Sequence, residues 1–446
     1  MSTFEIVANL FSYACFNLGA LLVWPSRRNV VAWLGLPFFI IAYLIPLLVV
    51  DYTEVASRSV IASLTLMNLV GAVAMVFGLV IGSRLRLPPL RTLRWRRRPA
   101  AASSASPSRA TFRMLTLGCV IMTLCFAWMG FLPVFADDPF LAKFFRGQYK
   151  EKFDQVSVFY RFSQTMVMTA LPLAMAMFIT LRERKLLIPI CWAVALFALS
   201  LNRGTVVAGL VLLWAAWSSR SVLRMSTFLL ISTIVYSVGS SVYVLLGIIV
   251  SDDFNIWAEI ARGAPDIKDH LTFLQAFNPE RDLSYGLTFI GGLVPGNFSY
   301  NPSVYTLAIA NGTSDVSEIA SGGFRLPPSV AGYMALSWSG VLLVSLGTGL
   351  LTGYFVTRLR SMPRTNISQQ VATLIWFQVI AEFWINFDTL SYQGLIAVFL
   401  FTYLVPDVRA LGSFGQGVAP SRRPWRLRFR RRARPTQMAT AISESR

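Results

Sequence analysis

The chain has 446 residues and a mean hydropathy of +0.58, with 55% hydrophobic and only 14% charged residues. Soluble domains carry about 25% charged residues, so this composition excludes an ordinary soluble protein. The apolar residues form runs of about 20, which match a hydrocarbon core about 30 Å thick. They do not form the short alternating segments of a membrane β-barrel. We therefore predict an all-α, polytopic membrane protein.

Eleven apolar runs are predicted to be transmembrane helices. They cover approximately residues 4–24, 29–50, 60–82, 114–134, 162–181, 186–202, 204–218, 225–250, 329–357, 368–387 and 390–406. The first run has no basic segment before it and no clear cleavage site, so we interpret it as a retained span rather than a signal peptide. The cysteines lie within spans and are expected to be buried, with neither a disulfide nor a metal site; they are Cys15, Cys119, Cys125 and Cys191.

Basic residues are distributed unevenly between the loops. Arginine clusters occupy residues 84–113 and the C-terminal tail, and the positive-inside rule places both in the cytoplasm. Eleven spans then put the N-terminus outside and the C-terminus inside. On this topology the inside holds 29 basic and 3 acidic residues and the outside 11 basic and 18 acidic ones. Charge is thus sorted by membrane face. It does not form a basic surface for nucleic acid, and the tail is expected to contact membrane lipids.

The predicted organisation follows from these spans. Transmembrane helices 1–3 occupy residues 1–83, helices 4–8 occupy residues 114–250 and include an outer loop at 135–161, and helices 9–11 occupy residues 329–406. Three segments separate or follow them: a basic cytoplasmic loop at 84–113, a large periplasmic loop at 251–328 and a basic cytoplasmic tail at 407–446.

The large loop is expected to contain short amphipathic helices. In Asp266–Phe277, apolar residues recur at a spacing of three and four, which predicts a helix that lies on or dips into the outer membrane interface.

The cytoplasmic segments have no nucleotide-binding loop of the Walker type. Their only acidic residues are Glu183, Asp407 and Glu444, too few for a metal-dependent nucleotide-sugar site. Any chemistry is therefore expected at the outer face, on a substrate that the membrane carries, without a cofactor or a metal.

Arg203 interrupts an apolar stretch that runs from Lys185 to Arg220. The 34 intervening residues give two helical arms of about 17 residues, or roughly 25 Å each, so the turn at Arg203 is expected at headgroup depth on the outer side. A guanidinium there can bind a phosphate with several donors. The alternative is a turn residue that binds ordinary phospholipid.

A second arginine, Arg325, lies in Ser321-Gly322-Gly323-Phe324-Arg325-Leu326-Pro327-Pro328, directly before a predicted span. Paired glycines give the backbone freedom and paired prolines stiffen it. This pattern favours a cation held close to a headgroup, and together with Arg203 it predicts a clamp for a pyrophosphate. An ordinary loop arginine is the alternative.

Other residues carry weaker signals. Arg146 and Tyr149 lie in an aromatic outer segment, which suits an interfacial belt or sugar binding. His270 is the only histidine, either a solvated loop residue or a general base. Glu382, at the outer end of a span, is expected to balance Arg203 or to act as a base.

The chain resembles the bacterial O-antigen polymerases, the Wzy-type oligosaccharide repeat-unit polymerases. The resemblance covers the general plan of spans and the large outer loop. At residue level it rests on Leu201-Asn202-Arg203-Gly204 and on the run from Gly322 through Ala331-Gly332-Tyr333 to Trp338-Ser339-Gly340.

The resemblance implies a glycosyltransferase of the bacterial inner membrane that makes O-antigen, a part of lipopolysaccharide, or an exopolysaccharide. A growing glycan on undecaprenyl pyrophosphate is the implied donor, and a sugar hydroxyl of a new lipid-linked unit is the acceptor. Arg203 and Arg325 would bind the pyrophosphate, with Arg146 or Arg281 assisting, and His270 or an outer carboxylate would be the base. A regulator of chain length is a further implied partner.

Two other functions remain open. An O-antigen ligase, or another lipid-linked glycosyltransferase, would use a similar substrate. A transporter or flippase of lipid-linked oligosaccharide is the third hypothesis, but transporters commonly carry internal repeats and broken spans, and no repeat is detected here.

Overall fold

A computed structural model describes residues 1–23, 36, 38–85, 108–201, parts of 224–234, 266–294, 298–317, 319, 322–361 and 392–413. These residues are mostly helical and include no strand. The helices of more than five residues are α1 (Thr3–Val23), α3 (Arg58–Arg84), α4 (Arg109–Met129), α5 (Pro139–Phe144), α7 (Ser157–Leu181), α8 (Leu187–Leu199), α9 (Asp266–Ala276), α11 (Pro302–Asn311), α12 (Pro328–Ser361) and α13 (Tyr392–Ser413). The three short helices are α2 (Ile45–Val49), α6 (Lys150–Asp154) and α10 (Leu287–Gly291).

Four helices among the described residues are long and apolar enough to cross a membrane: α3, α4, α7 and α12. Large apolar side chains such as Phe77, Trp128 and Phe399 point away from the protein, each more than 60% exposed, as expected of a lipid-facing surface. The described part of the chain is therefore that of an all-helical membrane protein. The predicted spans 204–218 and 368–387, and most of 225–250, lie outside the described residues.

Two of the predicted spans are not regular α-helices throughout. In the predicted span 29–50, the described residues form a π-helical turn at Ile40–Leu44 followed by the five-residue α2. In the predicted span 329–357, Leu336 and Ser337 leave the helical conformation. A Cβ built on Gly332 would lie 2.2 Å from the carbonyl oxygen of Gly340, so the first two turns of α12 fold back against the rest.

Sequence signals explain where several helices begin and end. The Asp138 side chain accepts hydrogen bonds from two backbone N–H groups at the start of α5, and the Asn301 side chain accepts one from the backbone N–H of Ser303 at the start of α11. In each case a proline follows at the first helical position. α4 ends at Gly130 with a φ of 70°, a common helix stop.

Asp407, which the charge distribution predicts to be cytoplasmic, has a capping role. Its carboxylate accepts from the backbone N–H of Thr111 at 2.7 Å and from the Thr111 hydroxyl at 2.6 Å. It thereby fixes the first turn of α4 against α13, favourably placed at the positive end of the helix. α4 begins at Arg109, inside the predicted loop 84–113.

Helices α1, α3 and α12 pack in parallel. Asn9 of α1 bonds Thr65 and Asn68 of α3 at 2.8 and 2.9 Å, and Ser329 of α12 donates to Asn68 at 2.7 Å. Further along, Gly78 and Gly82 of α3 face Leu346 and Leu350 of α12 in the same order. This shared direction is the one that the predicted topology requires of these three spans.

The α3–α12 contact depends on small residues. A Cβ on Gly82 would lie 2.0 Å from the Leu350 carbonyl oxygen, and one on Gly353 would lie 2.4 Å from that of Leu79. Both helices carry the Gly-x-x-x-Gly spacing, Gly78 to Gly82 and Gly349 to Gly353, which lets two backbones approach closely.

The segments predicted to lie outside gather at one end of these helices. The N-terminal amine lies 3.7 Å from Asp51, and the backbone N–H of Ser57 donates to Gln275 of α9 at 2.9 Å. The backbone N–H of Gly147 donates to the Ser317 carbonyl at 3.2 Å, which joins the two outer loops. We refer to this end as the loop end; its assignment to the outer face remains the charge-based prediction.

α9 forms where the sequence predicts it, but its apolar face packs against protein. Ile267, Leu271, Leu274 and Phe277 are buried in a core shared with α1, α3 and α12. The prediction that this face lies in the membrane interface is therefore wrong, because the loop end of the helices covers it. Cys191 is also exposed rather than buried as predicted.

Candidate functional site

The loop from Gly322 to Pro327 holds Arg325 between two anchored neighbours. Gly323 has a φ of +103°, which favours glycine, and a Cβ there would lie 2.6 Å from the Cα of Ser303. The backbone N–H of Phe324 donates to the Thr306 hydroxyl at 3.3 Å. Phe324 and Leu326 both pack against the core that contains α9. The loop therefore fixes the backbone on either side of Arg325.

Arg325 presents its charge outward from this fixed backbone. Its carbonyl oxygen accepts a hydrogen bond from Nε2 of His270 at 2.6 Å. Its side chain is 74% exposed, and Nη1 lies 3.9 Å from Oδ1 of Asp266, which is 3% exposed. An exposed guanidinium on a constrained backbone can meet an anion without a large loss of backbone entropy.

His270 is completely buried and engaged on both nitrogens. A carbonyl oxygen can only accept, so Nε2 carries the proton, and Nδ1 accepts from the Tyr13 hydroxyl at 2.9 Å. Burial lowers the pKa of His270 to about 4, against the opposing effect of the hydrogen bond to the Arg325 carbonyl. His270 is therefore neutral near pH 7 and is not the solvated loop residue that was one expectation.

Aromatic rings surround the imidazole on the side of α1. Tyr13 and Tyr43 stack with centroids 4.1 Å apart, and the Tyr13 ring lies 5.8 Å from the imidazole. Tyr13 is 1% exposed and Tyr43 is 7% exposed. The hydrogen-bonded pair of Tyr13 and His270 thus sits in a dry environment, where a polar contact is strong and its loss costly.

Two carboxyl groups accompany Arg325. Asp266 lies at the start of α9 and Asp269 one turn later. The pKa of Asp266 is raised by burial, against the attraction of Arg325, and its Oδ1 has no hydrogen-bond partner among the described residues. The pKa of Asp269 is raised to about 7, first by burial and then by Asp266, against Arg325 and Lys268. Asp269 is only partly buried, so it can exchange a proton with a bound molecule.

Arg146 and Tyr149 contribute to the packing of the outer loops. Nη1 of Arg146 donates to the Val316 carbonyl at 2.7 Å and to the Ile319 carbonyl, and burial lowers the pKa of Arg146. Tyr149 is 7% exposed, and its hydroxyl accepts from the Asp138 backbone N–H at 3.2 Å. The Arg146 contacts join the segments 135–161 and 251–328, whereas the Tyr149 contact lies within the first of these segments. The predicted roles of both residues in substrate binding stay predictions.

Arg281 lies on the surface of the large loop. Its Nε lies 2.8 Å from Oδ1 of Asp282, and its side chain is 77% exposed. The Asp282 carbonyl accepts from the Tyr305 hydroxyl, which ties this turn to α11. Arg281 thus forms an ion pair with Asp282 while its own side chain stays largely exposed. Its role in helping to bind the pyrophosphate stays a prediction.

Arg203 and Glu382 lie outside the described residues. The approach to Arg203 is described: α8 ends at Leu199, and Leu201 has a φ of 57°. This left-handed residue stops the helix directly before Asn202, where the sequence predicts a turn.

The structure brings together two of the predicted site residues, Arg325 and His270, and adds three that sequence reasoning did not assign to the site: Asp266, Asp269 and Tyr13. One signal was present, because Asp266 and His270 are four residues apart and so share a helix face. Tyr13 lies 257 positions from His270, and no local pattern links them.

No protein-family model matches the chain, and neither a curated protein nor a solved structure matches it.

Proposed function

We propose that this protein is a glycosyltransferase of the bacterial inner membrane that joins undecaprenyl-pyrophosphate-linked oligosaccharide units at the outer face, as an O-antigen-type polymerase. The proposal combines the resemblance at Leu201–Gly204 and at Gly322–Gly340 with the geometry around Arg325. Its principal support is one observation: an exposed guanidinium on a backbone held by a buried histidine, at the loop end of membrane helices.

The reaction explains why a fixed cation is needed. When the glycosyl–phosphate bond breaks, its electron pair goes to the pyrophosphate, which gains negative charge in the transition state. A donor already in position stabilises that charge without reorganisation. In the proposed mechanism Arg325 supplies one such donor and Arg203 the other. The energy comes from the glycosyl–pyrophosphate bond itself.

The acceptor hydroxyl must lose its proton as the new glycosidic bond forms. A general base works best with a pKa near the operating pH. Asp269 fits this requirement, because its pKa is about 7 and it occupies a partly buried position within the electrostatic influence of Arg325. Asp282 and Asp315 have lowered pKa values, and both nitrogens of His270 are engaged within the protein. We therefore assign the base role in this proposal to Asp269.

The test in cells is the length of the surface glycan. Arg325→Ala and Arg203→Ala should each shorten the ladder to single repeats, because loss of one preorganised donor costs about 100-fold or more in rate. Arg325→Lys should give an intermediate ladder, since it keeps a charge without the fork of donors. Arg58→Ala is the matched control, because Arg58 is another exposed arginine at the loop end and lies at the start of α3. An unchanged ladder in both alanine variants, with normal protein levels, sinks the assigned roles.

A ligase is the second candidate, favoured by the contact between the sole histidine and Arg325 in the large loop. The related ligases use a histidine of the large outer loop together with arginines, but the residues around His270 do not match theirs convincingly, so the ligase role is not carried over to His270. The glycans of cells that lack this protein separate the two functions. Loss of all capped glycan indicates a ligase, and retention of one capped unit indicates a polymerase. If the protein is a flippase, lipid-linked units should instead accumulate on the cytoplasmic side of the membrane in cells that lack it.

A further inference from the structure

Two residues of α9 contact opposite ends of Arg325. Asp266 lies beside the guanidinium at 3.9 Å, and His270 bonds the backbone carbonyl at 2.6 Å. Asp266 and His270 are one helical turn apart, so the single helix α9 contacts both the side chain and the backbone of Arg325. Asp266 alone would not fix the orientation, because an ion pair with a largely exposed arginine is weak.

The backbone of this loop needs an external constraint. Gly322 and Gly323 precede Phe324 and Arg325, and glycine has more backbone freedom than any other residue. The bond from His270 to the Arg325 carbonyl fixes the peptide group that follows Arg325. Pro327 and Pro328 stiffen only the far side of that peptide.

The constraint extends into the membrane helices. The Tyr13 hydroxyl donates to Nδ1 of His270, which leaves the proton on Nε2, where the Arg325 carbonyl needs it. Tyr13 belongs to α1, which is itself bonded to α3 through Asn9. The chain of contacts therefore runs from α3 through α1 and α9 to Arg325.

We propose that His270 is a positioning residue, which holds the Arg325 backbone through Nε2–H and is itself set in that tautomer by Tyr13. This inference rests on the proposed function, in which Arg325 binds the pyrophosphate. It differs from the expectation that His270 is a general base. It also gives Tyr13 an indirect role, because Tyr13 acts on Arg325 only through His270.

Substitutions at His270 separate positioning from two alternatives by their rank order. Glutamine places an amide N–H near the position of Nε2, asparagine reaches only the region of Nδ1, and phenylalanine keeps the ring volume without a donor. Positioning predicts that His270→Gln keeps the polymerisation rate within about 10-fold, whereas His270→Asn and His270→Phe fall by about 100-fold, as Arg325→Ala does. A role as base predicts that the glutamine variant is as slow as the phenylalanine variant. A packing role predicts that phenylalanine is at least as active as glutamine.

Tyr13→Phe provides a second arm with almost no change in volume. It should slow the wild-type enzyme several-fold but leave the His270→Gln variant nearly unaffected, because glutamine has no acceptor at Nδ1 for Tyr13 to bond; such non-additivity marks coupled residues. Tyr285→Phe, at a 75% exposed position of the large loop, is the control and should leave the rate unchanged. Additive effects of Tyr13→Phe and His270→Gln would contradict the proposal that Tyr13 acts through His270.

A spectroscopic measurement tests the arrangement without relying on activity. His270 is the only histidine, so protein labelled with ¹⁵N-histidine in lipid nanodiscs gives one imidazole spectrum. We expect the Nε2–H tautomer, neutral at neutral pH, and a change in the Nδ1 signal on Tyr13→Phe. An Nδ1–H tautomer or a charged imidazole at neutral pH overturns the positioning role. If the spectrum is as expected and the wild-type protein makes no polymer, the proposed function fails while the arrangement stands.

Discussion

The protonation of His270 gives a quantitative prediction for stability. The imidazole has a pKa of about 4 in the folded protein against 6.5 when solvated, because burial disfavours its charged form. The unfolded state therefore binds the proton more readily, so the contribution of His270 to stability is present above pH 6.5 and is lost as the pH falls through about 4. A difference of about 2.5 units at about 1.4 kcal/mol each gives a full effect of roughly 3 kcal/mol, of which about 2 kcal/mol is lost by about pH 5.

Asp269 titrates in the same range with the opposite sign. Its pKa is raised to about 7 in the folded protein, so protonation on acidification stabilises the fold. Wild-type stability alone would mix the two effects. The difference between wild-type protein and His270→Gln isolates the histidine, because both proteins retain Asp269.

The assay is thermal unfolding in nanodiscs, followed by the fluorescence of the 12 tryptophans. We expect the stability advantage of the wild-type protein over His270→Gln to shrink by about 2 kcal/mol from about pH 7.5 to about pH 5. A difference that stays constant across this range refutes the reasoning, since it would mean that His270 takes up a proton as easily when folded as when unfolded.

Three further predictions concern packing and catalysis. Gly82→Ala should destabilise the protein by about 1–3 kcal/mol through overpacking, because its Cβ would lie 2.0 Å from a carbonyl oxygen of α12; Val73→Ala, at a 65% exposed position of α3, is the control, and equal melting temperatures would contradict the close contact. Arg146→Ala removes the donor to the Val316 carbonyl and should make the segment around Val316 sensitive to limited proteolysis. Unchanged cleavage would contradict the conclusion that Arg146 holds this segment in place. Asp269→Asn should slow polymerisation by about 100-fold or more. It should also abolish the loss of activity that we expect of the wild-type protein as the pH falls below about 7; a pH profile like that of the wild type in this variant would exclude Asp269 as the base.

Helix positions were largely predictable, because the apolar runs are long and the membrane core sets their length. α3, α4 and α7 overlap the predicted spans 60–82, 114–134 and 162–181. The break at Leu336 and Ser337 was not predictable from hydropathy, because an average over some 20 residues does not register two residues that leave the helix. The seventh predicted span and the tenth lie outside the described residues and stay predictions.

The site was predictable only in part. The Gly-Gly-Phe-Arg pattern identified Arg325, and the spacing of three and four identified α9. An amphipathic pattern does not say whether its apolar face meets lipid or protein, so the burial of His270 was missed. The contact from Tyr13 to His270 joins residues far apart in sequence, and only the three-dimensional packing of α1 reveals it.

The most direct test of the proposed function is reconstitution of the purified protein in liposomes with undecaprenyl-pyrophosphate-linked repeat units. We expect the wild-type protein to produce a ladder of longer glycans and to release one undecaprenyl pyrophosphate for each bond formed. Arg325→Ala should extend the glycan about 100-fold more slowly, and Arg58→Ala should match the wild type. Repeat units that remain unextended by folded wild-type protein, with the ¹⁵N spectrum of His270 intact, would contradict the assignment as a polymerase.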